Sequence, residues 1–313
     1  MNSIPNIPNL KGRDFLTLAD YTPAELTYLL RKAQELKARP LAYRPLVGKH
    51  LALLFEKPST RTRVSFEVGM RQLGGDTVVL TGDQTQLGRG ESIADTAKVL
   101  SRYVDGIMIR TFAQEMLVEM AQCAAVPVIN GLTDLLHPCQ ALADFLTIWE
   151  KKQSLSGLKL AYFGDGNNMA HSLMLGGAIM GLEVVVATPT EYQPNPKITA
   201  EAMQLADEYG GKILLTTDAA DAAEDADVLY TDAWISMGQK ESAARKKAVL
   251  SPYQINQTLL GRAKLDCLVL HCLPAHYGEE VTLEVARSAN AVFFDQAENR
   301  LHAQKAILAE LLS

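Results

Sequence analysis

Phe55-Glu56-Lys57-Pro58-Ser59-Thr60-Arg61-Thr62-Arg63-Val64-Ser65-Phe66 is the stretch around which this chain is organised. Before it, His50 to Phe55 is a short apolar run between Gly48 and Pro58, the pattern of a buried strand. After it, Phe66, Met70 and Leu73 recur at helical spacing until Gly74-Gly75 ends the run. Pro58 resists backward continuation of that helix, and Ser59 or Thr60 can cap its start. The first turn therefore combines open backbone N–H groups, hydroxyls and two arginines, Arg61 and Arg63. A helix N-terminus favours an anion through its orphan donors and its dipole, and arginine adds a planar fork of donors matched to phosphate oxygens. The stretch predicts a strand–loop–helix site for a small phosphorylated ligand.

The rest of the chain narrows the classes it can belong to. Its 313 residues suffice for two domains, each with its own core. A net charge of −6 argues against a nucleic-acid partner, which calls for a basic excess. No apolar run reaches the roughly 18 residues of a membrane span, and Met1 to Leu10 lacks the basic flank and apolar centre of a signal peptide. Cys123, Cys139, Cys267 and Cys272 are scattered, as expected of reduced thiols in a cytoplasmic protein.

Short apolar runs alternate with helical patterns along the whole chain. The expected strands of the first half are His50–Phe55, Asp76–Thr81, Asp105–Arg110 and Val126–Ile129. Those of the second half are Leu158–Phe163, Glu183–Ala187, Lys212–Leu215, Val228–Thr231, Cys267–Leu270 and Val292–Phe294. Such alternation predicts the α/β class, with two mostly parallel sheets covered by helices. The polar stretch Lys151 to Gly157 marks the boundary. It gives a first domain over residues 1–151 and a second over 152–295, followed by a last helix within 296–313. Ligands of parallel sheets bind at the carboxyl ends of strands. The anion loop, Arg110 and His137 all fall just after expected strands.

Four further motifs carry chemistry. His137 and Gln140 lie about one helical turn apart, with Pro138 between them fixing the local backbone, so both can face one carbonyl-bearing ligand. Gly164-Asp165-Gly166-Asn167-Asn168-Met169 follows a strand and opens a helix. It is an imperfect dinucleotide fingerprint: Met169 replaces the third glycine, and Glu183 starts the next strand where a ribose-binding acid would end it. The glycines are read as turn formers, and Asn167 and Asn168 as helix caps or carboxylate ligands. Asp232 ends a strand, as a partner for an ammonium group or as a helix-capping acid. His271-Cys272-Leu273-Pro274 ends another; zinc held by Cys267, His271 and Cys272 is a poor match, because no second ligand pair follows.

Seven segments in order resemble the ornithine carbamoyltransferases of the aspartate/ornithine carbamoyltransferase superfamily. They are Ser59-Thr60-Arg61-Thr62-Arg63, Arg110-Thr111-Phe112, His137-Pro138-Cys139-Gln140, Gly164 to Asn168, Asp232 to Gly238, His271-Cys272-Leu273-Pro274 and Glu298-Asn299-Arg300-Leu301-His302. The resemblance covers nearly the whole chain. It implies transfer of the carbamoyl group of carbamoyl phosphate to the side-chain amine of L-ornithine, giving L-citrulline and phosphate, with no metal or other cofactor. It implies a last helix packed back on the first domain, and a homotrimer or an assembly of trimers.

Residue by residue, it implies that Ser59, Thr60, Arg61 and Thr62 hold the phosphate, with Gln86 reaching it from a neighbouring subunit, and that Arg300 closes the carbamoyl phosphate pocket from the C-terminal segment. Arg110 would bridge phosphate and carbonyl, and His137 and Thr62 would polarise the carbonyl. Gln140 and the Leu273 backbone would hold the carbamoyl amide. Asn168, Asp232, Ser236 and Met237 would grip ornithine, and Cys272 would orient or deprotonate its amine. Competing expectations are a relative acting on an acylated ornithine, a catalytically silent binding protein, and an NAD-dependent oxidoreductase.

Arg61→Ala should weaken phosphate-ligand binding at least tenfold, since a hydrogen bond to a charged group contributes about 1.5–3 kcal/mol. Calorimetry with carbamoyl phosphate checks it, and unchanged affinity would remove the anion site from the helix start.

Overall fold

The caps and apolar faces of the first half form the elements they suggest. In the computed structural model, which describes residues 8–82, 90–235 and 243–313, Thr22 opens α1 (Pro23–Ala38) through a reciprocal capping box with Glu25. β1 (His50–Phe55) buries every residue but the first. Ser59, not Thr60, is the cap that starts α2 (Thr60–Gln72), accepting the Thr62 amide. β2 (Asp76–Thr81), α3 (Ile93–Leu100), β3 (Gly106–Arg110), α4 (Gln114–Cys123), β4 (Val128–Leu132) and α5 (Pro138–Lys152) follow. The four strands pair in parallel in the order β2-β1-β3-β4. Ala52, Leu54, Ile107, Ile109, Leu117 and Met120 form a core cluster against this sheet. The order reverses at β1, so the carboxyl ends of β1 and β3 flank the switch point where parallel sheets take ligands.

The second half repeats the plan. It comprises β5 (Lys159–Phe163), α6 (Asn168–Ile179), β6 (Glu183–Ala187), α7 (Pro196–Tyr209), β7 (Lys212–Thr216), α8 (Ala219–Ala223) and β8 (Val228–Thr231). α9 (Ala243–Leu250), α10 (Gln257–Leu260), β9 (Leu268–His271), α11 (Leu283–Ala286) and α12 (Phe293–Leu312) complete it. Its strands are also all parallel, in the order β7-β6-β5-β8-β9, with the switch point between β5 and β8. Phe163, Val185, Leu229, Trp234, Tyr253 and Phe293 belong to its core.

Two compact units result: Met1–Leu146 with Arg300–Ser313, and Thr147–Asn299. The divisions fall inside α5 and α12. The last part of α12 packs on the first unit. Gly12 N donates to Leu311 O at 3.0 Å, and the Tyr28 hydroxyl to Glu310 at 3.0 Å. The fully buried Lys305 ammonium donates to Leu36 O, Pro40 O and Gln72 Oε1, the last at 2.8 Å. Among the described residues no helix is long and apolar enough to cross a membrane.

Three expectations shift. Val292–Phe294 is not a strand: a single bridge joins Ala291 to Val269, and α12 begins at Phe293, whose ring meets the His271 imidazole edge-on at 5.8 Å. β4 starts at Val128 because Pro127 has no N–H for the ladder, although its carbonyl accepts Ile107 N. β4 then runs on to Leu132 through an irregularity opposite Ile109 and Arg110.

The Gly164–Asn168 turn shows why it is no dinucleotide site. Gly164 holds φ of 130°. A Cβ on Gly166 would lie 2.3 Å from the Pro194 nitrogen and 2.6 Å from the Gln193 carbonyl carbon. The glycine that elsewhere admits a pyrophosphate here admits the chain's own backbone, which also accepts the Gly166 amide at Tyr192 O, 2.8 Å away. Gly166→Ala should therefore destabilise the protein by about 1–3 kcal/mol, the usual cost of forcing atoms into a filled site. Urea unfolding measures it, and a loss below about 0.5 kcal/mol, the range of neutral surface changes, would show that the turn has spare room.

Candidate active site

In the first unit three successive strand ends deliver the candidate groups. β1 leads into Ser59, whose hydroxyl accepts Thr62 N at 3.3 Å and lies 3.0 Å from Thr62 Oγ1. β3 ends at Arg110, and β4 leads to His137 and Gln140 at the start of α5. Backbone and side chains lace these ends together. Glu56 N donates to Arg110 O at 2.9 Å, Asp134 N to Phe112 O at 2.8 Å, and the Thr111 hydroxyl bonds the Glu56 carboxylate. Lys57 pairs with Asp134, and its ammonium sits 4.1 Å from the centre of the Phe112 ring.

Arg300, from α12, donates through Nη2 to Thr62 Oγ1 at 2.8 Å, so the last helix reaches the anion loop. Thr62, Arg110, His137, Gln140 and Arg300 are all buried, while Ser59 and Arg61 are half-buried and Thr60 is exposed. Arg63 is not part of the set: it is exposed and pairs with Glu67 one turn along α2, at 2.7 Å.

Burial, then the positive charges of Arg300 and Arg110, hold His137 well below the usual imidazole range. It is therefore a neutral ring that donates one N–H, suited to polarise a carbonyl without carrying charge. Gln140 is oriented by Asp144, one turn down α5, which accepts Gln140 Nε2 at 2.8 Å. Among the described residues its Oε1 has no hydrogen-bond partner, and it is buried, so it can accept from a ligand amide. Cys139 points away, its thiol on Asn130 O at 3.3 Å and its pKa pushed up to about 12 by burial, with Arg300 opposing. It stays a protonated thiol.

In the second unit the ends of β5, β8 and β9 converge on Asp232. Asp232 Oδ1 accepts Ala233 N at 2.7 Å and the Cys272 thiol at 2.9 Å, and Oδ2 accepts Asn167 Nδ2 at 2.9 Å. Its bonds join these three strand ends. Asn167 is fully committed: its Oδ1 caps α6 at Met169 N and Ala170 N and accepts the Tyr162 hydroxyl at 3.2 Å. Asn168 is half-exposed at the same helix start. Asp165 is bound to the buried Lys246 at 2.6 Å.

Asp232, His271 and Cys272 bring possible metal-ligand atoms within 4.8 Å of one another. Both His271 nitrogens are already engaged, however, with Leu273 N and Glu280. Cys267 is elsewhere, buried with its thiol on Leu268 O, so the zinc set considered above does not assemble. Gln86, Ser236 and Met237 lie outside the described residues. Sequence reasoning missed Asp144 and Glu280. Asp144 could have been found by its four-residue spacing from Gln140; Glu280 reaches His271 only through the fold.

Two family models match the chain. The carbamoyl-P binding domain of aspartate/ornithine carbamoyltransferase covers residues 13–150, and the Asp/Orn binding domain covers residues 156–311. An ornithine carbamoyltransferase of Anoxybacillus flavithermus is 58% identical over 97% of this chain and 98% of its own length. One of Pyrococcus abyssi is 54% identical over 98% of each. The solved ornithine carbamoyltransferase of Pyrococcus furiosus superposes with a TM-score of 0.95 at 53% identity, covering 98% of this chain and 99% of that one. That of Thermus thermophilus gives 0.87 at 43% identity, covering 96% and 99%.

The depressed His137 sets a pH dependence. The folded ring stays neutral where the unfolded one, near 6.5, takes a proton. Its contribution is therefore fully present above that value and lost as pH falls below it. Urea midpoints should fall between pH 7.5 and 5.5 by less in His137→Gln than in the wild type; equal falls would mean that His137 titrates normally.

Proposed function

The chain belongs to the aspartate/ornithine carbamoyltransferase family, and on that premise we propose that it transfers the carbamoyl group of carbamoyl phosphate to the side-chain amine of L-ornithine. The products are L-citrulline and phosphate. The observation that carries the choice of ornithine is the bond between the Cys272 thiol and Asp232, 2.9 Å long. It ties the His271-Cys272-Leu273-Pro274 segment, one of the seven that resemble the ornithine carbamoyltransferases, to the acid expected to hold an amino group.

Residues 1–151, with the returning helix 296–313, take carbamoyl phosphate, and residues 152–295 take ornithine. Ser59, Thr60, Arg61, Thr62 and Arg300 hold the phosphate, joined by Arg110, which also reaches the carbonyl oxygen. His137 and Thr62 donate to that oxygen. Gln140 Oε1 and the Leu273 carbonyl accept the two protons of the carbamoyl amide, which fixes the plane of the group under attack. Asn168, Ser236 and the Met237 backbone grip the α-carboxylate and, with Asp232, the α-amino group.

The attacking amine must lose a proton, because a primary amine of the lysine type has a pKa near ~10.4. Cys272, bonded to Asp232, is placed to orient the amine and relay that proton. Attack forms a tetrahedral oxyanion, and Arg110, Thr62 and His137 stabilise it with donors already in place. The C–O bond to phosphate then breaks, and the departing phosphate, its negative charge matched by arginine, takes the second proton of the attacking nitrogen, leaving neutral citrulline. Carbamoyl phosphate is itself an activated donor, so the chemistry calls for no metal or organic cofactor.

The setting proposed is the cytoplasm, supported by four free cysteines. The direction is toward citrulline in arginine biosynthesis, supported by the 53%-identical Pyrococcus furiosus relative, which is named as anabolic. The assembly is a homotrimer or a group of trimers, with Gln86 reaching a neighbour's phosphate. Nucleic acid and membrane have no part in it.

Citrulline formation from ornithine and carbamoyl phosphate tests the proposal, and no product with ornithine but product with another amine would replace it. Cys272→Ala should lower kcat at least tenfold while changing carbamoyl phosphate affinity little, as removal of a contact needed mainly during attack does. Cys139→Ala should leave kcat near wild type. The reverse ranking of the two variants would reassign the role of Cys272.

A further inference from the structure

The segment that carries Cys272 and Leu273 has an unusual backbone. Leu273 holds φ of 59°, in the left-handed region that a residue with a branched side chain rarely adopts. Such a conformation persists only where surrounding contacts over-determine it. Those contacts are on hand and they are buried. Leu273 N donates to His271 Nδ1 at 2.8 Å. A backbone N–H can only donate, so Nδ1 is the unprotonated nitrogen of a neutral ring, and the proton sits on Nε2. Nε2 faces Glu280 Oε1 at 3.0 Å, with both side chains wholly inaccessible.

Glu280 is fixed in turn by the amide of His276, which donates to the same oxygen at 2.5 Å. Burial opposes ionisation of Glu280, but the bonds from His271 and the His276 amide outweigh it and hold the group below the usual glutamate range. A carboxylate there can only accept, so it selects the tautomer with the proton on Nε2. The histidine backbone is pinned too, His271 N donating to Gln296 Oε1 at 2.8 Å.

We propose that His271 is a positioning residue for the carbamoyl transfer set out above: Glu280 holds its proton on Nε2, so that Nδ1 accepts the Leu273 amide and locks the left-handed turn that presents the Cys272 thiol and the Leu273 carbonyl. Two groups used in the reaction are thereby set by one imidazole that touches neither substrate. The other tautomer, or a doubly protonated ring, would set an N–H against the N–H of Leu273 and release the turn. The inference rests on the ornithine carbamoyltransferase reading for its consequence in turnover, but not for the tautomer itself.

The test compares His271→Asn, whose Oδ1 can replace Nδ1 as acceptor, with His271→Leu, which offers none. In the full-length protein His271→Leu should lower kcat by about 10- to 100-fold, the range for a reacting group displaced by about 1 Å. KM for ornithine should stay within about threefold, and carbamoyl phosphate affinity by calorimetry should fall by no more than about tenfold, because only the Leu273 contact to the carbamoyl amide is displaced. His271→Asn should recover most of kcat.

Glu280→Gln, which keeps an acceptor, against Glu280→Leu, which does not, should repeat the pattern and decides the matter if His271→Leu fails to fold. Equal kcat in the acceptor and non-acceptor variants of both pairs overturns the proposal. A wild-type protein that makes no citrulline fails the functional reading alone. In that case the imidazole nitrogen resonances of labelled protein still judge the tautomer, and a proton found on Nδ1 of His271 overturns it.

Discussion

The guanidinium of Arg300 bonds the hydroxyl of Thr62 across 238 residues of chain, and much of the first unit is arranged so that this bond can form. Thr62 must stand at the start of α2, which the Ser59 cap secures. Arg300 must arrive from α12, which Lys305, Tyr28 and Gly12 hold against the unit. The outcome is a group of cations kept out of water: Arg300 and Arg110 are 4% and 7% exposed. Concentrating like charge in a low-dielectric setting costs free energy unless an anion answers it. The neutral state of His137 is the visible sign of that field, since both guanidinium groups add to burial in lowering its affinity for a proton. Burial and these two charges together leave His137 a ring that adds no positive charge of its own.

The second unit uses opposite polarity. Asp232 gathers a backbone amide, the Asn167 amide and the Cys272 thiol, so three strand ends are drawn to one carboxylate. All three partners are neutral donors, so none of them brings a positive charge to the carboxylate. Both units follow one rule of parallel sheets. Side chains at the carboxyl ends of neighbouring strands, near the place where strand order reverses, can meet although the sequence keeps them far apart.

How much of this was legible beforehand follows the range of the interactions involved. Strands and helices whose apolar pattern, cap and terminator lie within about a dozen residues could be read directly: α1 with its Thr22-Glu25 box, α2 with Ser59, and β8 ending before Asp232. Their order implied two parallel sheets, and their ends held the candidate residues. Val292–Phe294 was misread because an apolar triplet does not reveal whether it continues a ladder or starts a helix; one bridge at Ala291 and the packing of Phe293 on His271 decided it. Arg63 looked like a second anion donor because spacing within one turn does not say which side chain faces out, and Glu67 drew it away. The His271–Glu280 pair stayed hidden because a buried acid in a loop has no local signature, and the Asp144–Gln140 bond left only a four-residue spacing, which does not by itself say that the acid takes that partner. Its partner is chosen by packing.

The turn at Gly166 has a consequence for what glycine motifs record. In a cofactor-binding protein the missing side chain leaves an opening that an incoming molecule fills, and loss of that molecule would leave the position free to drift. Here the opening is filled by covalent chain, by the peptide between Gln193 and Pro194. No change of ligand, concentration or cellular setting can empty it. A glycine spacing of this kind is therefore a measure of crowding at a crossing of two backbones, and it says nothing about which of the two visitors, a solute or a loop, does the crowding.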